Sequence, residues 1–256
     1  MAARLNFRTV LLSRKGPVAR LTLNRPRAEN RVNQAMALEL AQAVQTINQD
    51  ESVRVVVLAG RGQAFSAGWE RLRVRSAGEL APYQAASSIA LIQRPVVASL
   101  NGDAVGQGLE LALAADIRIA STTARFSMPQ LQYGILPWDG GTQRLPRLVG
   151  RAHALSLLLT GVMIDAAEAL RIGLVSRVVD PAALDDATDE VVGQIAAGAP
   201  IAAQYAKETV AKGMDMPLDQ ALRLEADLNI LLHATRDRRE GIRSFRERRP
   251  PRFRGR

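Results

Sequence analysis

Two glycine-flanked loops and one carboxylate carry the chemical potential of this 256-residue sequence. The loops are Ala64-Phe65-Ser66-Ala67-Gly68-Trp69 and Asn101-Gly102-Asp103-Ala104-Val105-Gly106-Gln107-Gly108-Leu109-Glu110. The second opens onto a small-residue stretch that predicts a helix over Gly106–Ala115. The first N–H groups of a helix have no partner inside it and sit at the positive end of its dipole. They therefore suit an anion or a developing oxyanion. The simpler alternative is that the glycines only make tight strand-to-helix turns. Neither loop matches a dinucleotide fingerprint or a phosphate loop. Glu110 lies within Gly-Leu-Glu-Leu-Ala-Leu-Ala-Ala. A carboxylate on so apolar a helix is either buried, and then needs partners or a raised pKa, or lies on a solvated stripe beside Gln107.

Several other chemistries are excluded by composition. Cysteine is absent, so disulfides, iron–sulfur clusters and thiolate zinc sites are out. The two histidines, His153 and His233, are far apart, which argues against a histidine metal site or a Ser-His-Asp triad. With 47% apolar and 23% charged residues the chain can build a sizeable core. No apolar run is long enough to span a membrane and Met1–Val10 has no signal-like apolar segment, so a cytoplasmic location is expected. The net charge of +9 is uneven: Arg236–Arg256 holds ten arginines against Asp237, Glu240 and Glu247, a balance of +7. That segment reads either as a solvated, partly disordered tail or as a site for a phosphorylated ligand or polyanion.

The elements that must position these groups follow from periodicity. Arg4–Ser13 and Pro17–Leu23 predict two strands joined at Lys15-Gly16-Pro17. Gln34–Ile47 predicts an amphipathic helix. Val53–Ala59 and Pro95–Leu100 are continuous apolar runs, which suit strands covered on both faces. A helix is expected over Leu80–Arg94 and a strand over Asp116–Ala120. This alternation predicts an α/β fold with largely parallel pairing. Helices are expected at Gly140–Val149, Arg151–Thr160 and Asp165–Ile172, with a last short strand across Gly173–Val175 and Val178–Val179. Four further helices are expected over Ala182–Ala197, Ile201–Gly213, Leu218–His233 and Thr235–Arg246. A core over residues 1–196 and a helical lobe over 197–256 is the expected organisation.

The segments AFSAGWE, RPVVASLNGDAVGQGLELALAADIRIA, GILPWDGGTQRLPRLVG and LTGVMIDAAEALRIGLVSRVV, with LTLNRPRAEN before and DRREGIRSFRERR after them, resemble the crotonase (enoyl-CoA hydratase/isomerase) superfamily along almost the whole chain. The resemblance implies a spiral of β-β-α units with a C-terminal helical lobe used in trimerisation. The implied assembly is a trimer or a dimer of trimers. It implies an acyl-CoA substrate, with coenzyme A entering only as part of that substrate, no separate cofactor and no metal. Neither a membrane nor nucleic acid is expected as a partner. Its oxyanion hole is built from two main-chain N–H groups, which match Trp69 and Gln107. CoA contacts map onto Arg25, Arg27, Ala67, Arg248 and Arg249.

This sequence departs from the family pattern at chemically important places. The usual glycine triplet is Gly106-Gln107-Gly108, and the usual small residue after Ala-Gly is Trp69. Trp69 and Trp138 are expected to wall the acyl site, suiting a cyclic or branched acyl group, although Trp69 could instead belong to the core. Of the family's two catalytic glutamates, Glu110 matches the first, and Gln130 stands in place of the second. A glutamine can orient water but cannot exchange a proton near neutral pH. Standard 2-enoyl-CoA hydration is therefore expected to be slow or absent unless another acid serves. Asp139 is the candidate substitute, one residue beyond the position, here Trp138, where some relatives carry a catalytic aspartate; otherwise it caps the following helix. The expected activity is a hydratase-like lyase on a non-standard acyl-CoA. Isomerisation, hydrolysis, and non-catalytic CoA or RNA binding are the alternatives.

Overall fold

A computed structural model of the chain describes residues 7–70 and 76–256. The first strand runs Val10–Lys15 (β1) and turns at Gly16 into β2 (Val18–Leu23), its antiparallel partner. Residues 4–6 of the expected strand lie outside the described residues. Helix α1 (Gln34–Gln49) starts where the Asn33 side chain accepts the Met36 N–H at 2.9 Å. It buries Met36, Leu40, Ala43, Val44 and Ile47 on one face. β3 (Val55–Gly60) follows. The single helix expected over Leu80–Arg94 is instead α2 (Ala77–Leu80), a 3-10 turn at Ala81–Tyr83 and α3 (Ala85–Ala90). Pro82 has no N–H to donate and crowds the residue before it, so the helix restarts beyond it.

β4 (Val96–Leu100), β5 (Ala104–Val105), α4 (Gln107–Leu113), β6 (Ile117–Ser121) and β7 (Arg125–Ser127) come next. α5 (Gly141–Thr160) is kinked at Gly150, the break expected between two helices there. β8 (Ile164–Asp165), α6 (Ala166–Arg171) and β9 (Arg177–Val179) lead to α7 (Leu184–Ala197). The last strand thus starts later than Gly173. The amides of Gly173 and Leu174 close the end of α6 on the Leu170 and Ala169 carbonyls and are not available to a sheet. α8 (Pro200–Gly213), α9 (Leu218–His233) and α10 (Arg236–Arg246) complete the chain.

Six strands form a sheet in the order β1-β2-β3-β4-β6-β9, parallel except for the β1–β2 hairpin. The two-residue side-chain period of β3 sorts its residues between two cores. Val56 and Leu58 join α1, α3 and α4, whereas Val55 and Val57 face Leu184, Ala187 and Val192 of α7. Burial on both faces is why β3 and, apart from Ser99, β4 are apolar, and each fully buried Val or Leu contributes about 1.5–3 kcal/mol. A second, three-stranded sheet, β5-β7-β8, leaves the first at Asn101 and carries the site. Its strands are two or three residues long, too short to show a period in the sequence.

Candidate active site

The two glycine-flanked loops lie side by side. Ser66 N–H donates to the Asp103 carbonyl and Val105 N–H to the Ser66 carbonyl, each at 3.0 Å, so that residue 66 pairs with residue 104 like a short parallel strand. Gly108 is required by this approach, since a Cβ there would stand 2.1 Å from the Ser66 carbonyl oxygen. Asn30 organises the first loop from behind. Buried and left-handed (φ 54), it donates through Nδ2 to the Arg61 and Ala64 carbonyls at 3.0 and 2.9 Å and accepts Ser66 Oγ–H on its own carbonyl. Val32 then brackets Trp69, donating to the Gly68 carbonyl and accepting the Glu70 N–H. The Trp69 and Gln107 main-chain N–H groups themselves have no acceptor among the described residues. Gln107 is the first residue of α4, after Gly106 at φ 54, so it begins a helix in ordinary geometry and its N–H faces away from the helix body.

One turn into α4, Glu110 is fully buried. Its Oε1 accepts the Asp139 and Gly141 N–H groups at 2.8 and 2.7 Å, and its Oε2 has no partner. Burial pushes its pKa up to about 7. The two amides and the Arg144 guanidinium oppose that rise, and the neighbouring Asp139 charge adds to it. Glu110 is therefore on no solvated stripe. It is a fixed carboxyl group balanced near neutrality, with one free oxygen, as a proton carrier requires.

Gln130 is also fully buried, in the 3-10 turn Pro129–Tyr133, and both its amide atoms lack partners. The Nε1 of Trp138 and the Oε1 of Gln107 are likewise buried and unpartnered. Unsatisfied polar atoms of this kind are uncommon in a folded interior and cluster where a ligand or water belongs. The Trp69 ring packs edge-on against both Tyr133 and Trp138, with centroids 5.7 and 5.2 Å apart. Together with Arg31, Ala67 and Val105 these three rings line a cavity of about 1040 Å³. The wall passes one or two residues away from each of these polar candidates: Val105 and not Gln107, Pro129 and not Gln130, Trp138 and not Asp139. Trp69 thus lines the cavity; Arg31, in a loop, and Tyr133, at the end of the short 3-10 turn, show no periodic pattern and were not singled out by the sequence.

Asp139 does not cap the helix that follows it, α5, whose cap residue is Gly140 and which has no side-chain cap. Its carboxylate turns toward α3 and accepts Ala86 N–H, Ser87 N–H, Ser87 Oγ–H and Gln107 Nε2–H at 2.7–3.0 Å. Of the CoA candidates, Ala67 lines the cavity. The Arg25 guanidinium is held by Glu70 and by the Arg31 carbonyl. Arg27 and Arg248 are exposed. Arg249 is bound by Glu240 and Glu247, and that contact with the Arg252 amide holds the Glu240 carboxyl down at about 2. Arg249 lines a separate arginine-rich cavity of about 880 Å³ that shares no lining residue with the first. The basic segment is not a loose tail. Asp237 accepts the Arg254 and Gly255 amides, and the Phe253 carbonyl accepts from Arg54. Among the described residues no group of three or more His, Asp or Glu could hold a metal, and no helix is long and apolar enough to cross a membrane.

The family model for enoyl-CoA hydratase/isomerase matches residues 13–256. Among curated relatives, the (E)-benzylidenesuccinyl-CoA hydratase of Thauera aromatica is 40% identical, covering 96% of this chain and 99% of that one. The crotonyl-CoA hydratase of Syntrophomonas wolfei is 37% identical, covering 96% and 98%. The crystal structure of enoyl-CoA hydratase from Bacillus anthracis superposes with a TM-score of 0.93 at 34% identity, covering 97% and 100%. The chain belongs to the enoyl-CoA hydratase/isomerase family, has the crotonase fold and is an enzyme of that type.

Proposed function

We propose that this enzyme adds water across the double bond of a 2-enoyl-CoA with Glu110 as its sole proton carrier. The observation that supports this best is the Glu110 carboxyl, buried and held on one oxygen while the other is free. The Trp69 and Gln107 amides bind the thioester oxygen and stabilise the enolate as it forms; one such donor is worth roughly 2.7–4 kcal/mol. Glu110 takes a proton from water as its oxygen bonds to the β-carbon, then returns that proton to the α-carbon as the enolate collapses. Gln130, with both amide atoms unpartnered, orients the water without exchanging a proton. The acyl chain lies along Trp69, Tyr133 and Trp138, and their edge-to-face arrangement favours an aromatic or branched acyl group. That the relative from Thauera aromatica is named for a benzylidene substrate agrees with this choice.

Coenzyme A enters as part of the substrate, with no separate cofactor or metal. Its phosphates meet Arg31 and Arg27, with Arg248 contributed at an assembly contact, while Arg25 and Arg249 brace the scaffold. Residues 197–256 form the oligomerisation lobe. Exposed Val210, Leu218, Leu222, Ile230 and Leu231 on α8 and α9 favour a homotrimer or dimer of trimers, which light scattering after size exclusion would register as three or six chains.

A panel of straight, branched and aryl-substituted 2-enoyl-CoAs, with products weighed by mass spectrometry, tests the reading. A product heavier by one water, formed fastest from the branched or aryl members, is expected. A single proton-carrying carboxylate, with a Gln130 that cannot exchange a proton, also suits double-bond isomerisation. Turnover of 3-enoyl-CoAs with no mass change, and none of 2-enoyl-CoAs, would favour that second reading.

A further inference from the structure

We propose that the Gln107 side chain and the Asp139 carboxylate form a brace that sets the oxyanion donor against the proton carrier, making Asp139 a positioning residue. The inference rests on the hydratase reading. Both positions are unusual: Gln107 replaces a glycine that would have no side chain to tie, and Asp139 serves neither of the two roles the sequence offered for it, substitute proton carrier or helix cap.

The geometry joins three segments through one residue: α3, α4 and the loop before α5. Asp139 donates its main-chain N–H to Glu110 Oε1 at 2.8 Å. Its Oδ2 accepts Gln107 Nε2–H at 3.0 Å and Ala86 N–H at 2.7 Å. Its Oδ1 accepts Ser87 N–H and Ser87 Oγ–H at 2.9 and 2.8 Å. The Gln107 amide has only one workable orientation, because its Nε2 lies between two pure acceptors, the Tyr83 carbonyl at 2.5 Å and the carboxylate. Gln107 and Asp139 are buried, so water cannot replace the bond between them.

Four donors leave Asp139 no free oxygen with which to act on substrate. What it fixes is the spacing between the first residue of α4, whose N–H is the proposed oxyanion donor, and the loop whose N–H groups hold Glu110. Catalytic geometry is lost steeply with sub-ångström misplacement of such groups. The charged groups acting on Glu110 are Asp139 and Arg144, and Arg144 donates to the Asp139 carbonyl at 2.8 Å. Removing the Asp139 charge therefore also lets Glu110 ionise at lower pH.

The test compares wild type, Gln107→Met, Asp139→Asn and the double variant on an enoyl-CoA that wild type hydrates, with thermal unfolding of each. Gln107→Met removes the brace together with the Gln107 bond to the Tyr83 carbonyl, and leaves the contacts of Asp139 with α3. Each single variant is expected to lower kcat about tenfold with KM within twofold, and the double variant to be no slower than the worse single one. The acid limb of the pH–kcat profile should move to lower pH in Asp139→Asn and stay in place in Gln107→Met. A folded Gln107→Met with wild-type kcat, or losses that multiply in the double variant, would overturn the brace while leaving the hydratase reading intact. Absence of any enoyl-CoA turnover by folded wild type would overturn the reading and the brace together.

Discussion

Glu110→Gln should make the protein inactive and, at alkaline pH, more stable. The substitution conserves shape: the amide oxygen can still accept the Asp139 and Gly141 N–H groups, and the new NH₂ takes the place of an Oε2 that has no partner. In the unfolded chain Glu110 ionises near 4.5, and in the folded protein near 7. Between those values the folded state holds a proton that the unfolded state has lost, so stability falls as pH rises through the window. At about 1.4 kcal/mol per pH unit, the full interval corresponds to roughly 3 kcal/mol, lost almost entirely by pH 8. The amide of the variant has no proton to lose in this range. Urea unfolding at pH 5 and pH 8 should therefore show the variant gaining roughly 2–3 kcal/mol on wild type across that span. Turnover should fall by about 10²–10⁴-fold with thioester affinity retained. A stability difference that does not change with pH would refute the buried, neutral-range carboxyl, and retained turnover would refute its role.

Three further substitutions probe the frame around it. Gly108→Ala places a methyl 2.1 Å from the Ser66 carbonyl oxygen and should separate the two loops, lowering kcat/KM by at least about 10²-fold in steady-state assays. Gln130→Glu should raise crotonyl-CoA hydration by about 10²-fold by supplying a second proton carrier, and should lower stability by placing a carboxyl group at a fully buried position, which chemical denaturation would register. Buried Arg118 donates to the Ala112, Ala115 and Leu174 carbonyls, and burial holds its pKa down to about 10. Arg118→Met should cost roughly 2–3 kcal/mol in denaturant unfolding, because the Ala115 and Leu174 carbonyls would lose the guanidinium as donor.

Much of the architecture was legible because it rests on period and punctuation. The apolar runs at Val55–Ala59 and Val96–Leu100 could only be covered strands, and the stripe through Met36, Leu40, Val44 and Ile47 could only be a core-facing helix. The break at Pro82 and the short β5-β7-β8 sheet were not, since a few residues show no period and tertiary pairing decides them. Within the site, Glu110 was visible as a carboxylate out of place on an apolar helix. The orientation of Asp139 was not. Its partners Ala86 and Ser87 lie more than fifty residues away and reach it only after α3 packs against the start of α4. Asn30 was equally hidden, because its value comes from a left-handed backbone and three carbonyl and amide contacts that no spacing rule reveals.

The most direct measurement is the infrared frequency of an isotope-labelled thioester carbonyl bound to the Glu110→Gln variant. In the proposed binding mode the Trp69 and Gln107 main-chain N–H groups polarise that bond, so its stretch should fall below the value in water. A bound thioester vibrating at the solution frequency would contradict the account.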